Sequence, residues 1–567
     1  MIDLALPPLC LPPALVLFTG ALLIALVRPA IRPLILLLAP LLTLWAVWNL
    51  GDGVSLQTQF LGHPIELIEA DRLRRLFATV FALMAFAGGL FALRQASRFE
   101  LSAAYAYAAS AVAVCFAGDL ISLFVFWELM ALFSTLVVAA GNHPAARQAA
   151  VRYGVLHLFG GVVMMLGIVG IMGQTGSVDI RAIALDSVAA WLLLTGVLIN
   201  AAAPPLSAWI ADAYPEASPS GSVFLSAFTT KAAVLALILL FPGAGVLIPI
   251  GIAMIFYGIL YALLENDIRR ILAYSIVNQV GFMLVGVGIG TELAIDGAAA
   301  HAFAHILYKG LLFMSAGAVI FQTGKRQCTD LGGLFQSMPV TAICGIVGAL
   351  AISAFPLTSG FIAKSMISQS AANQHLALVW TLLTAASAGV FLHAGIKFPW
   401  FVFFQKDSGL RPADPPWNMQ AAMLLLAAAC IGLGVFPGLL YGLLPYPVDY
   451  LPYTAAHVLS QLQLLLFAGL AFFVMLPWMQ RTLTISLDFD WCYRRLIPAI
   501  AAQVESGWDW IKQRFDAFWQ SYGARALDWV LDPHRSRGWL ARTWPTGSMA
   551  LWVVALLVLV IWFGPAQ

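Results

Sequence analysis

The sequence predicts an all-α, polytopic membrane protein, and three observations carry that expectation: composition, recurring apolar segments of spanning length, and isolated charges inside those segments. Of 567 residues 61% are hydrophobic and 10% charged, with a mean hydropathy of +0.90, whereas soluble domains carry about 25% charged residues. Most of the chain is therefore expected to be surrounded by lipid. A helix needs about 20 apolar residues to cross a hydrocarbon core of about 30 Å, and such segments recur from Cys10 to the C-terminus, about sixteen in all.

Charge and cysteine usage exclude other classes. A net charge of +2 with no basic run outside the apolar segments gives no footing for nucleic acid. Cys10, Cys115, Cys328, Cys344, Cys430 and Cys492 are scattered, without a CxxC pair or a His at ligand spacing, so no cofactor or metal site is expected. The first basic residue, Arg28, follows the first apolar segment rather than preceding it, so that segment reads as a retained helix.

The gaps between segments set an orientation. Arg28 and Arg32, Arg94 and Arg98, Arg147 and Arg152, Arg269 and Arg270, Lys325 and Arg326, Lys406 and Arg411, and Arg481 fall in alternate gaps. The opposite gaps hold mainly acids such as Asp212, Glu216, Glu292 and Asp296. The positive-inside rule then puts both termini on the non-cytoplasmic side of a bacterial-type inner membrane. Arg181 and the group Arg72, Arg74, Arg75 break the pattern; snorkelling from a helix end would reconcile the group.

The organisation expected is N-terminal transmembrane helices over 1–100, a first half-channel repeat over 101–240, a second over 241–400, and further transmembrane helices over 401–485. Over 486–545 the chain turns amphipathic, with Trp491, Trp508, Trp510, Phe515, Trp519 and Trp529 among Arg494, Arg495, Lys512, Arg514 and Arg525. That pattern suits a lateral helix in the membrane interface, about 60 Å long for about 40 residues; a cytoplasmic loop with some helix is the alternative. An anchoring apolar run closes the chain over 546–567.

Charges inside the apolar segments are the functional candidates, because each costs on the order of 3 kcal/mol at mid-membrane. Glu128 stands alone in SLFVFWELMALFSTLVV and calls for a partner; Asn200 and His157 are candidates for that place. Lys231 opens the run AAVLALILLF, either in a polar layer or snorkelling to an interface. In HAFAHILYKG, His301, His305 and Lys309 stand at i, i+4 and i+8, which lines them along one helix face as a ladder of titratable groups. Desolvation disfavours a charged ammonium, so a lysine in such a site can exchange protons near neutrality. Lys364 follows Pro356 and Gly360 in SAFPLTSGFIAKSM, a helix interruption tolerated at membrane depth only where the freed backbone lines protein or a watery cavity. A similar interruption occurs at Pro205, where Pro205-Leu206-Ser207 matches Pro356-Leu357-Thr358. Two broken helices at corresponding positions mark an inverted-repeat transporter.

Over roughly residues 70–400 the sequence resembles the antiporter-type subunits shared by multisubunit Mrp sodium/proton antiporters and the membrane arm of respiratory complex I, most closely the Mrp D type. The resemblance rests on FWELM around Glu128, PPLSAWIADAYPEA at 204–217, LAYSIVNQVG at 272–281, HAFAHILYKGLLF at 301–313 and PLTSGFIAK at 356–364. It implies that Glu128, Lys231, Lys309 with His301 and His305, and Lys364 form a hydrated proton path across the membrane midplane. It implies no cofactor, partners that are other membrane subunits of a hetero-oligomeric complex, and coupling of protons to a monovalent cation, in a transporter rather than an enzyme. One position departs: the family usually has a lysine, paired with the glutamate, where this chain has Asn200. Either Lys231 supplies the pairing charge, or Glu128 titrates higher than in its relatives. The same residues would serve a redox-driven pump of the complex I or membrane hydrogenase kind, or the membrane half of an inorganic-carbon uptake complex; a scaffold without transport fits poorly with so many buried charges.

Overall fold

The computed structural model describes residues 11–60, 62–477 and 488–564; Cys10 and Arg481 lie outside them. Contacts divide the chain into a unit ending at Asp490 and a second beginning at Trp491. The first opens with α1 (Pro13–Leu26) and α2 (Arg32–Asn49), then an antiparallel hairpin of β1 (Gly53–Phe60) and β2 (His63–Ala70). Next come α3 (Arg72–Ala92), α4 (Arg98–Phe116), α5 (Leu120–Ala139), α6 (Pro144–Thr175), α7 (Val188–Asn200), α8 (Trp209–Ala213), α9 (Pro219–Leu225) and α10 (Thr229–Leu240). They are followed by α11 (Leu247–Leu264), α12 (Ile268–Ile289), α13 (Glu292–Thr323), α14 (Pro339–Ile352), α15 (Ser359–Asn373) and α16 (Ala377–Val390), which runs on through π-helical turns to Phe404. Last are α17 (Trp417–Val435), the single turn α18 (Gly438–Tyr441) and α19 (Ala455–Met475).

Among the described residues 13 helices are long and apolar enough to cross a membrane, which makes this a multi-pass membrane protein. Three shorter apolar helices, α1, α7 and α14, stand beside them; α7 and α14 are the leading pieces of the two interrupted segments.

Among the described residues the hairpin is the one departure from the all-α expectation, and it accounts for two of the anomalous arginines, Arg74 and Arg75. Arg74 is buried, not snorkelling: its guanidinium pairs with Glu69 at 2.5 Å and Asp71 at 2.7 Å and donates to the Ala117 carbonyl. Arg75 pairs with Asp52 and donates to the Leu50 carbonyl. Burial pushes the Glu69 carboxyl up while Arg74 pulls it down. The group closes the hairpin onto the start of α3, so its charge is spent locally and does not weigh on the orientation.

The interior repeats itself with a spacing of 148 positions. Asp119 caps α5 by accepting from the amides of Ile121 and Ser122; Asp267 caps α12 through Arg269 and Arg270. Leu120 donates to the Val178 carbonyl and Ile268 to that of Arg326. The helices that follow, α6 and α13, have 32 residues each and end at left-handed glycines, Gly176 and Gly324. At 1.5 Å per residue each is about 48 Å long, well beyond a hydrocarbon core of about 30 Å.

Both interruptions end their leading helix the same way. At the first, Ala202 is left-handed (φ 61°) and the Ala203 amide reaches back to Leu198; at the second, Ala354 is left-handed (φ 55°) and Phe355 reaches back to Leu350. Aligning these alanines pairs Pro204 with Pro356, one residue away from the Pro205 pairing of the sequence motif. Pro205 lies in the first interruption and Pro356 in the second, while Gly360 opens α15, where a Cβ would fall 1.9 Å from the Ala351 carbonyl oxygen.

Each interruption frees carbonyls, and specific donors meet them. Trp209 Nε1 donates to Ile199 O at 3.0 Å, and Lys364 Nζ to Ile352 O at 2.8 Å. A third break, between α9 and α10, exposes Ser226 O, which accepts from Lys231 Nζ at 2.6 Å.

The second unit contains a continuous helical run over 492–531, including α20 (Ile497–Phe518) and α21 (Ala524–Leu531), and then α22 (Thr546–Phe563). Trp508, Trp510, Phe515, Trp519 and Trp529 are exposed on it.

A Trp209→Phe substitution keeps the ring but removes the donor to Ile199. It should lower stability by about 1–3 kcal/mol, seen as a drop in the thermal unfolding midpoint of the detergent-solubilised protein.

Candidate functional site

Four of the six candidate path residues gather in the second repeat. His301, His305 and Lys309 occupy three successive turns of α13 and are wholly buried, and Lys364 of α15 is nearly so. The two imidazoles lie near-parallel with ring centres 6.2 Å apart. Lys309 Nζ donates to Ser275 Oγ of α12 at 2.7 Å, and Lys364 Nζ lies 4.8 Å from the centre of the Phe282 ring. Among the described residues neither ring nitrogen of His305 has a hydrogen-bond partner, and Nδ1 of His301 has none. A buried polar atom left without a partner costs about 1–3 kcal/mol, so this ladder is an expensive feature to place between apolar helices.

Lys364 lines a cavity of about 330 Å³ together with Ser365, Ser368, Ser387, His457 and Gln461, as the helix interruption suggests. The cavity wall is rich in hydroxyl and amide groups, suited to water beside an ammonium.

The first repeat is built differently. Glu128 is half-buried on α5, and Gly161 of α6 makes room for it: a Cβ there would fall 1.9 Å from Glu128 Oε1. That oxygen has no hydrogen-bond partner, and no ion pair to Glu128 occurs among the described residues. Of the two alternatives for Glu128, pairing with Lys231 is not what the structure has, since the Lys231 ammonium turns instead to the carbonyl freed at Ser226. Asn200 does not pair with Glu128 either. Its Oδ1 accepts from Nδ1 of His157 at 2.5 Å, and its amide nitrogen points to the Gly196 carbonyl. His157 is buried, packs 4.6 Å from the Trp209 ring, and keeps Nε2 without a partner.

The repeat spacing relates these residues in pairs that inspection of single motifs does not reveal. His157 on α6 is the counterpart of His305 on α13, and Gly161 of Lys309. The carboxylate of Glu128 thus lies against α6 at the level where Lys309 stands on α13. Comparing DLISLFVFWELM with DIRRILAYSIVNQ in the sequence could have exposed this register, although only the leading Asp is a clear match. The bidentate pair of the half-buried Arg152 and the buried Asp212, at 2.7 and 2.8 Å, is a further charge contact beside the first interruption.

Fold and site together define a helical membrane module with two related halves and a file of titratable side chains in the second. Residues 117–390 match the family described as NADH:quinone oxidoreductase/Mrp antiporter, TM. It is 31% identical over 357 residues to the A/B-type component of a probable K(+)/H(+) antiporter of Rhizobium meliloti, an alignment covering 59% of this chain but 36% of that protein. It is 30% identical over 267 residues to the D-type component of the Na(+)/H(+) antiporter of Alkalihalophilus pseudofirmus, covering 44% and 54%. The chain thus spans about a third and about half of the length of these curated relatives. A chain of the archaeal membrane-bound sulfane sulfur reductase, a respiratory membrane complex, has the same fold, with a TM-score of 0.71 at 24% identity over 97% of this chain and 99% of that one.

Because Glu128 has no ion pair, Glu128→Gln should change the unfolding free energy by less than about 1 kcal/mol. Asp212→Asn, which breaks a part-buried bidentate pair, should cost more, about 1–3 kcal/mol. Thermal unfolding of the two variants side by side checks the contrast.

Proposed function

We propose that this chain is the proton-translocating subunit of a multisubunit monovalent cation/proton antiporter, with sodium or potassium as the exchanged ion. The observation that carries the reading is the buried ladder. Three titratable groups stand in file on one membrane helix with three of their four imidazole nitrogens unpartnered among the described residues, and Lys364 of the same half lines a cavity. Intramembrane ionisable residues mark ion and proton pathways because nothing else repays their desolvation. His301, His305, Lys309 and Lys364 form the path in the second half. In the first half Glu128 and Lys231 are the proton sites, with His157 and Asn200 beside them.

The relatives' names support a transporter role, and the complexes in which the fold occurs support partners that are other membrane subunits. The chain itself performs no covalent chemistry in this reading. It sits in a bacterial-type inner membrane with its termini on the non-cytoplasmic side, as the basic gaps indicate, and the helical run over 492–531 lies along the membrane interface as a lateral element.

A second reading, a proton-pumping subunit of a redox-driven assembly, is favoured by one observation: the likeness to the sulfane sulfur reductase chain extends over 97% of this chain, beyond the family module. Purification of the intact assembly separates the two. Flavin or iron–sulfur absorbance in the assembly would replace the first reading with the second.

Lys309→Ala, assayed in membrane vesicles that contain the assembled complex, should abolish cation-dependent proton flux. Undiminished flux would remove Lys309 from the path.

A further inference from the structure

One hydrogen-bonded file leaves the ladder sideways and ends on a histidine that the path above does not use. The Tyr308 hydroxyl lies 3.3 Å from His301 Nε2 and donates to Gln279 Oε1 at 3.2 Å. Gln279 Nε2 donates to Asn278 Oδ1, and Asn278 Nδ2 lies 3.0 Å from His393 Nε2. His393 Nδ1 lies 2.9 Å from the Gly389 carbonyl. All five side chains are fully buried.

The donor inventory gives the file a direction. An amide nitrogen only donates, so His393 Nε2 accepts and its proton is on Nδ1, where it donates to Gly389 O. Tyr308 gives its hydroxyl proton to Gln279, so its oxygen accepts from His301 Nε2–H. Every bond in the file then points from His301 toward His393, and the last acceptor, Nε2 of His393, belongs to a titratable ring.

Beyond His393 the polar lining continues. Lys397, four residues on in a π-helical stretch, presents the same side of the segment and donates to the carbonyls of Ala262, Leu263 and Glu265 at 3.1, 2.6 and 2.5 Å. Glu265 pairs with Arg270 at 2.9 Å, in the gap that carries basic residues. Wide π turns recur at functional sites in membrane and soluble helices alike, and capping of α11 explains Lys397 without explaining the bond between Asn278 and His393.

We propose that His393 is a further protonation site of the second half, and that it connects the ladder to the membrane face bearing Glu265 and Arg270. The inference rests on the proton-path reading above. A proton arriving by water adds to Nε2 of His393, breaking its bond from Asn278, and leaves from the same nitrogen to water on the Lys397 side. Tyr308, Gln279 and Asn278 are positioning residues that fix the neutral tautomer between transfers.

The test compares His393→Gln, whose side-chain oxygen can still accept from Asn278 but cannot take up a proton, with His393→Ala, in vesicles containing the assembled complex. Both should lower proton flux by about tenfold or more, with assembly checked by copurification of partner subunits. Flux within about twofold of the unaltered protein in His393→Gln would overturn the proposal, since a hydrogen-bonding group would then suffice. Asn278→Leu severs the file without touching the ring; it should reproduce the loss, and undiminished flux in it would overturn the proposal equally. Lys309→Ala in the same vesicles separates the two levels: if it loses flux while both His393→Gln and Asn278→Leu keep it, the branch falls and the ladder stands.

Discussion

The structure depends on one constraint: a carbonyl freed inside the hydrocarbon zone must find a donor, because water is not there to supply one. Each place where a helix stops short meets that demand with a particular side chain. Trp209 serves Ile199, Lys364 serves Ile352, Lys231 serves Ser226, and Lys397 serves the end of α11. Three of these four donors are lysines. A cation that bonds to a carbonyl is stabilised by the break, and the break is stabilised by the cation, so the interruptions and the buried charges are one design.

Lys309 stands apart in this respect. It sits in an unbroken helix and meets a hydroxyl, Ser275, rather than a freed backbone group. Its ammonium is therefore not needed to complete the main-chain hydrogen bonding of any segment, and losing or gaining a proton there leaves the helices intact. The same holds for His301 and His305. The lysines at the breaks carry a double duty that the ladder does not.

Much of this was legible in the residues. Spanning length, composition and the i, i+4, i+8 spacing of His301, His305 and Lys309 need no tertiary information, because lipid burial and helix geometry are local demands. The interruptions were legible from Pro205, Pro356 and Gly360 for the same reason. What escaped was set by packing. The hairpin before α3 is short, and its arginines read as topology signals because their partners, Glu69, Asp71 and Asp52, only reveal themselves once the strands fold back. The fate of Glu128 was equally hidden. A missing side chain at Gly161, rather than a present charge, makes its site, and no motif announces a glycine as half of a pair. The second unit had the clearest composition of all, with tryptophans and arginines alternating along a helical run.

The spacing of 148 positions between the repeats carries one further consequence. Between equivalent helices such as α5 and α12 lie four passages of the chain, α6, α7 with α8, α9 with α10, and α11, counting each interrupted segment as one. An even number of passages between two helices leaves them running in opposite directions, so the two halves face opposite sides of the bilayer, and a residue's counterpart sits at mirrored depth. Duplicated backbone has thus been kept while its polarity was inverted: an acid leaning on a glycine in one copy, and a base leaning on a serine in the other. One layout, used twice in opposite orientation, thus holds an acid in one half and a base in the other without requiring two different folds.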